Sequence, residues 1–293
     1  MKQKHERRDA YWLSDIDSMH KFMPYLLPNR ADNEAVGQFA IDLTEANSFL
    51  KEKNVEGIDF KYTLFHLITA AIAKTVALRP KMNRFVAGHR LYERKDIIIA
   101  FTCKKTLDDK GAEGLVKFKV NRGEDSNPLQ EVHDLIQKQV TGFRKENKTD
   151  GATDIMDTLT KLPRWLLKIV VAVLRFLDYN GIMPESISRE DPYYSTVFIS
   201  NLGSIKMSAS YHHLTNWGTN SFFVCIGEKR IAPIFAPDGS YEMKEQVDLA
   251  FTVDERIADG VYYAGSFRLL KYLLEHPALL EKPIMEVPDD VRI

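Results

Sequence analysis

The chain has 293 residues, 44% of them hydrophobic and 28% charged, which is ordinary for a globular protein with a sizeable core. Its formal net charge of −1 at pH 7 provides no overall attraction to nucleic acid or to an anionic membrane. The charged N-terminus has no apolar signal region, and the two cysteines, Cys103 and Cys225, lie in separate apolar runs as expected of small buried hydrophobes. These features predict a cytoplasmic protein without a disulfide framework.

The predicted elements mix helices and strands without regular alternation. An irregular arm with a short helix is expected over roughly the first 30 residues. Hydrophobic periodicity then predicts, in chain order, strand Val36–Leu43, helices Glu45–Lys53 and Tyr62–Leu78, strands Phe85–Leu91, Ile97–Cys103 and Leu115–Val120, helix Pro128–Glu146, a polar gap at 147–153, a helix ending near Gly181, strands Val197–Asn201, Phe222–Gly227 and Val247–Val253, and helix Gly260–Leu274. No Gly-rich phosphate loop follows a strand, which argues against a dinucleotide-binding or P-loop enzyme. No linker is visible, so we predict a single domain over residues 1–293.

The longest apolar stretch, Trp165–Leu177, is too short to span a bilayer, which needs about 20 residues. Lys168 and Arg175 interrupt it and, being seven residues apart, share one face of a helix. We predict a helix that docks on the domain or on a neighbouring subunit. A helix lying in a membrane interface is the alternative.

Three segments carry a family likeness, in the same order and at matching spacing. They are Phe60–Asn83, a helix that ends Arg-Pro-Lys-Met-Asn, then Phe198–Gly203 (FISNLG), and Asp254–Gly260 (DERIADG) followed by an apolar helix. Together they resemble the catalytic domain of the dihydrolipoamide (2-oxoacid dehydrogenase) acyltransferases, within the chloramphenicol acetyltransferase-like superfamily. An apparent helical insertion over about 145–191 interrupts the likeness.

The resemblance implies an α/β two-layer sandwich with a mixed sheet, assembled as a homotrimer whose active sites lie between subunits. It implies acyl transfer from a thioester of coenzyme A to a small thiol, hydroxyl or amine, with no metal. Ser200 matches the hydroxyl that stabilises the oxyanion, and Asp259 matches the aspartate that orients the catalytic segment. Arg7 and Arg8 are candidates for the arginine that supports this aspartate, and Asn201 and Gly260 are expected to support the site structurally.

Two departures from the family pattern stand out. The lipoyl and subunit-binding domains are expected to be absent, because few residues precede the first predicted strand in this sequence. The residue at the position of the catalytic histidine is Glu255. An unperturbed glutamate has a pKa about two units below that of histidine, so as a general base it should lower the reaction rate about 10-fold. Burial would raise its pKa and reduce this loss. Glu255 is therefore either the base of an acyltransferase or part of a silent pseudoenzyme or binding module, in which Arg256 or another basic group pairs with the carboxylate.

Several residues also have a simpler interpretation. Ser200 at a strand end is of a type that caps turns, and Asp259 before Gly260 is expected to be the N-cap of the last helix. His66, within an apolar helix, is predicted to be a satisfied core or interface histidine. His212 and His213 are predicted to pack at a surface or an interface, the alternative being that one of them supplies the missing imidazole. Lys104 and Lys105 are predicted to be solvated, with contacts to coenzyme A phosphates as the alternative.

Overall fold

The computed structural model describes residues 7–104, 113–123, 125–145 and 151–289. The strands are β1 (Ala10–Trp12), β2 (Glu34–Asp42), β3 (Arg84–Ala87), β4 (Arg90–Arg94), β5 (Ile97–Lys104), β6 (Glu113–Val120), β7 (Val197–Asn201), β8 (Phe222–Phe235) and β9 (Tyr241–Asp254). The α-helices are α1 (Ser18–Leu26), α2 (Thr44–Lys53), α3 (Leu64–Leu78), α4 (Pro128–Lys145), α5 (Gly151–Thr160), α6 (Arg164–Tyr179), α7 (Glu185–Ser188) and α8 (Gly260–Glu275).

The strands form two sheets. The larger one has six strands in the order β2-β9-β8-β7-β5-β6, and the smaller one has three in the order β1-β4-β3. In the larger sheet β7 runs parallel to both β5 and β8, whereas the other neighbouring strands pair antiparallel. The predicted α/β class with a mixed sheet is therefore confirmed.

Alternation along the strands gives the large sheet two different faces. One face carries Val197, Ile199 and Val224, which belong to the main core together with the buried side of α3 and residues of α8. The other face carries Phe198, Phe223 and Cys225, which form a smaller cluster with Leu214 of the loop that follows β7. Ser200 lies on this second face, two residues after Phe198.

The prediction of one strand over Phe85–Leu91 is wrong, because the chain reverses inside it. Gly88 and His89 have φ angles of +54° and +57°, so β3 and β4 are joined by a tight turn. A Cβ on Gly88 would clash with the backbone oxygen of Tyr179, so the turn also needs glycine for space. His89 is held by a 2.7 Å hydrogen bond from its Nδ1 to the Pro24 oxygen. These contacts are long-range, which is why strand periodicity could not reveal the turn.

Two other boundaries differ from the prediction. Pro163 separates α5 from α6, and residues 151–153 of the predicted polar gap are helical, whereas 147–150 lie outside the described residues. Beyond a register irregularity between Ile226 and Lys229, β8 and β9 continue as a two-stranded arm. This arm exposes apolar side chains such as Ile231, Phe235 and Tyr241, so the inside–outside alternation used to predict strands is lost there.

Candidate active site

The motif Asp254–Gly260 is held by a buried ion pair. The Asp254 carboxylate accepts hydrogen bonds of 2.8 Å from Arg256 Nε and 2.7 Å from Arg256 Nη2. Arg256 also donates to the backbone oxygens of Leu27 and Pro28, and both side chains of the pair are almost completely buried. We call the Asp254–Arg256 pair the clasp. It fixes the turn after β9 with both of its charged groups turned inward.

Glu255 lies between the two clasp residues and points the other way. Its backbone N–H donates to the Asn33 oxygen at 2.9 Å, and the residue is exposed on the single chain. Within the described residues its carboxylate forms no hydrogen bond or ion pair. The alternative in which Arg256 neutralises Glu255 is thus wrong, because Asp254 already occupies the guanidinium.

Asp259 is the N-cap of α8, as the simpler interpretation predicted. Its carboxylate accepts a 2.8 Å hydrogen bond from the backbone N–H of Tyr262, and this bond lowers the pKa of Asp259. The cation that contributes to this shift is Lys81, whose ammonium lies 4.9 Å from the centre of the Tyr262 ring. Lys81 was missed because only the packing of the segment after α3 against α8 brings it there. A Cβ on Gly260 would meet no other atom within 4 Å, so sterics within the chain do not require glycine at this position.

Neither Arg7 nor Arg8 supports Asp259 within the chain, which corrects the prediction. Arg7 is buried and pairs with Asp9 at 2.9 Å and with Asp178 at 3.4 Å. Arg8 is exposed, and its backbone oxygen accepts from Lys95. The physical reason is that the N-terminal segment with β1 lies beside β4 and the end of α6, where Asp9 and Asp178 pair with Arg7.

Ser200 and Asn201 form the carboxyl end of β7, next to a tight turn. Ser200 is half-buried, and within the described residues its hydroxyl forms no hydrogen bond. The Asn201 backbone oxygen accepts a 2.7 Å hydrogen bond from Ser204 Oγ, so Ser204 rather than Ser200 caps this turn. A Cβ on Gly203 would clash with the Gly227 oxygen, which explains the glycine of the FISNLG segment.

Within one chain Ser200 and Glu255 are far apart. Ser200 pairs with Cys225 on β8, and Cys225 pairs with Ala250 on β9. Glu255 follows Ala250 by five residues, which at the rise of a strand is about 17 Å along the sheet. A site that uses both side chains therefore needs two copies of the chain.

A cleft of about 750 Å³ opens at the Ser200 end of the sheet. It lies between the start of α3, the end of α2, and the carboxyl end of β7 with the adjacent part of β8. Its lining includes Asn201 and three lysines, Lys51, Lys61 and Lys229, and no carboxylate. Lys229 pairs with Glu245, whereas Lys51 and Lys61 form no ion pair within the described residues. The cleft is therefore electropositive, and the partial positive charge of the α3 N-terminus adds to it.

His66 follows the cleft residues Thr63 to Phe65 and is buried, as expected of a core or interface histidine, but its hydrogen bonds are not all satisfied. Its Nδ1 accepts from the Thr63 backbone N–H at 3.0 Å, which closes a capping box at the start of α3. Its Nε2 is buried and has no hydrogen-bond partner among the described residues. Burial, together with the nearby His133, lowers the pKa of His66 from 6.5 to about 4.

The free energy of unfolding should therefore fall as the pH drops from 6.5 to about 4. In that window the unfolded chain binds a proton at His66 that the folded chain excludes. His66→Gln keeps an acceptor for the Thr63 N–H and removes the titration, so it should reduce this fall by about 2–3 kcal/mol. Denaturant titrations at several pH values measure the free energy of unfolding and its fall with pH. The exposed His276→Gln is the control and should keep the wild-type dependence on pH. Equal pH slopes for wild type and His66→Gln would contradict the assignment.

The remaining candidates take simpler roles. The His212 ring stacks on Phe223 at 4.2 Å between centroids, and His213 stacks on His212, so both pack at the surface as predicted. Burial raises the pKa of Cys225 to about 11, and this thiol stays protonated as a small core group. Lys104 ends β5 at the same end of the sheet but does not line the cleft, and Lys105 lies outside the described residues.

Comparison with known proteins shows which family and which solved structures this chain resembles. Residues 182–281, about a third of the chain, match the family described as 2-oxoacid dehydrogenases acyltransferase (catalytic domain). A structure of a probable dihydrolipoamide acetyltransferase from Listeria monocytogenes 4b F2365 is 15% identical, covers 89% of this chain and 93% of its own, and has a TM-score of 0.56. No curated protein sequence matches the chain significantly.

Two further structures extend the comparison. Dihydrolipoamide acetyltransferase from Azotobacter vinelandii is 15% identical, with a TM-score of 0.54 over 91% of this chain and 93% of its own. A chloramphenicol acetyltransferase is 10% identical, with a TM-score of 0.52 over 93% of this chain and 100% of its own. The chain thus has the chloramphenicol acetyltransferase-type fold. The resemblance inferred from the three sequence segments is confirmed, since the family match includes both FISNLG and DERIADG.

Proposed function

We propose that the protein transfers an acyl group from coenzyme A to a small thiol, hydroxyl or amine, with Glu255 as the general base. The observation that carries the proposal is the clasp, which occupies Arg256 and leaves the Glu255 carboxylate free at the position of the family's catalytic histidine. A carboxylate paired with a cation would be a poor base. A free one can accept a proton.

The chemistry balances with the residues present. For a thiol acceptor, Glu255 removes the S–H proton as the sulfur attacks the thioester carbonyl carbon. The carbonyl electrons move to oxygen, which the Ser200 hydroxyl stabilises by donating a hydrogen bond. The bond between this carbon and the coenzyme A sulfur then breaks, and that sulfur takes the proton back from Glu255. Asp259 holds the start of α8 and has no part in the proton transfer.

The electropositive cleft supports coenzyme A as the donor. Lys51 and Lys61 can pair with phosphate groups, and the cleft reaches Asn201, which follows Ser200 in the chain. Ser200 faces the other side of the sheet, so a thioester whose phosphates lie at Lys51 and Lys61 has to pass the carboxyl end of β7 to bring its acyl end to the Ser200 hydroxyl.

A homotrimer supplies the second copy that the site needs. Ser200 and Glu255 are separated along the sheet of one chain, so Glu255 of a neighbouring subunit has to reach the Ser200 end. The two-stranded arm of β8 and β9 pairs with no third strand in the described chain. It exposes apolar side chains, including Ile231, Phe235 and Tyr241, and this exposure supports assembly. Light scattering should give the mass of three chains, and a monomer would contradict a shared site.

The test is acetyl exchange between acetyl-CoA and small thiols. Wild type should be active and Glu255→Gln should lose at least about tenfold in kcat, because an amide cannot accept the proton. The exposed Glu185→Gln is the matched control and should behave as wild type. Lys51→Glu/Lys61→Glu should raise KM for acetyl-CoA.

Glu255→His separates the two interpretations of this position. If wild type and Glu255→Gln have the same acetyl-exchange activity while Glu255→His is more active, the active site is intact but lacks a base. The protein would then be a catalytically silent relative of the acyltransferases. If all three are inactive with every acceptor tested, acyl transfer at this site is refuted.

A further inference from the structure

Helix α6 presents an apolar surface to solvent. At about 100° per residue, Trp165, Ile169, Val173, Phe176 and Tyr179 fall with Ala172 within about 120° of the helix surface. We call these six residues the α6 face. All of them are exposed, Trp165 by 65% and Phe176 by 64% of the side chain, and no residue of α6 is fully buried.

The basic residues of α6 lie along one edge of this face. Arg164, Lys168 and Arg175 fall within about 40° of one another on the helix surface, next to the apolar stripe. They form no ion pair within the described residues. The single acid of the helix, Asp178, lies about 60° from Arg175 on the side of the basic edge away from the α6 face, and its carboxylate pairs with Arg7. The exposed side of α6 is therefore apolar and has a positively charged edge.

The opposite side of the helix is held on the domain. Leu166, Leu167, Val170 and Leu174 are half-buried, and the Tyr179 oxygen lies against Gly88. At the C-terminal end of the helix, Tyr179 of the α6 face also contacts the domain, with its ring edge-on to the His89 ring at 5.7 Å, and Arg7 bonds to Asp178. The α6 face is thus presented outward on an anchored helix, which explains how a docked helix can remain strongly apolar on its free side.

We infer that the α6 face binds an anionic lipid surface. An apolar stripe bearing Trp and Phe and flanked by cations on one edge fits the boundary between lipid headgroups and acyl chains. No helix in the described ranges is long and apolar enough to cross a membrane, so α6 lies in the plane of the surface. In a two-fold contact with antiparallel copies of α6, the basic edges of both helices would lie on the same side, which disfavours self-association of this kind by this face. The inference is independent of acyl transfer.

Vesicle flotation tests the inference. Wild type should float with vesicles of mixed phosphatidylcholine and phosphatidylglycerol and stay in the bottom fraction with phosphatidylcholine alone. Trp165→Glu/Phe176→Glu should stay at the bottom with both. Lys168→Gln/Arg175→Gln should bind the anionic vesicles about 30-fold more weakly, from the effect of two basic residues. Met285→Glu/Val287→Glu, which changes exposed apolar residues elsewhere, should float as wild type.

Three results would overturn the inference. The first is recovery of wild type only in the bottom fraction, and the second is an equal loss of flotation in the Met285/Val287 control. The third is a lower mass of Trp165→Glu/Phe176→Glu in light scattering, which would make the α6 face a subunit contact. Far-UV circular dichroism confirms that each variant is folded. Acetyl exchange measured without vesicles should be unchanged in all of these variants, so a failure of lipid binding is distinguishable from a failure of the proposed activity.

Discussion

Asp254→Ala should lower the free energy of unfolding by about 3–5 kcal/mol, because it leaves the buried Arg256 guanidinium without its carboxylate. The loss is compounded by Arg30, whose Nε lies 3.8 Å from Asp254 Oδ2 and has no hydrogen-bond partner among the described residues. The bond from the Arg256 backbone N–H to Asp254 is lost as well. Denaturant unfolding at fixed protein concentration measures the effect.

Asp248→Ala is the matched control on the same strand. Asp248 also forms a two-bond pair, with Arg230, but that pair is partly exposed to solvent and should contribute only about 0.2–1 kcal/mol. The double variant Asp254→Ala/Arg256→Met removes both buried charges and should recover part of the loss. If Asp254→Ala costs no more than Asp248→Ala, the clasp does not hold the turn that presents Glu255.

Ser200→Ala should reduce kcat for acetyl exchange by about 10²–10³, the usual effect of removing one oxyanion donor. Because a donor of this kind acts mainly in the transition state, kcat and kcat/KM should fall together while KM changes little. The Ser200 hydroxyl has no partner within the described part of the chain, so the melting temperature should stay the same.

Ser188→Ala, which changes a serine of α7 outside the cleft, should leave both kinetic constants unchanged. A Ser200→Ala variant that melts earlier and keeps its kcat would make Ser200 a structural residue at the end of β7. Retention of kcat at an unchanged melting temperature would remove Ser200 from the mechanism.

Much of the molecule was predictable because local chemistry determines it. The apolar periodicity of α3 and the alternation in β5 and β7 depend on which side of an element is buried, and a sequence displays that directly. Asp259 as N-cap likewise depends on residues within one turn of helix. The order of the FISNLG and DERIADG segments predicted the fold, which comparison with solved structures confirmed.

Only the tertiary structure decided which partners these residues have. Arg256 pairs with Asp254 and not with Glu255, Arg7 pairs with Asp9 and Asp178, and Lys51 and Lys61 come together in the cleft beside Asn201. The sequence by itself determined most of the elements, the order of the family segments and the identity of the residue at the base position, whereas the turn inside Phe85–Leu91 needed the structure. Ion pairs and clefts join segments that lie far apart in the chain, and their geometry follows from packing rather than from spacing, so the free carboxylate of Glu255 was visible only in the folded protein.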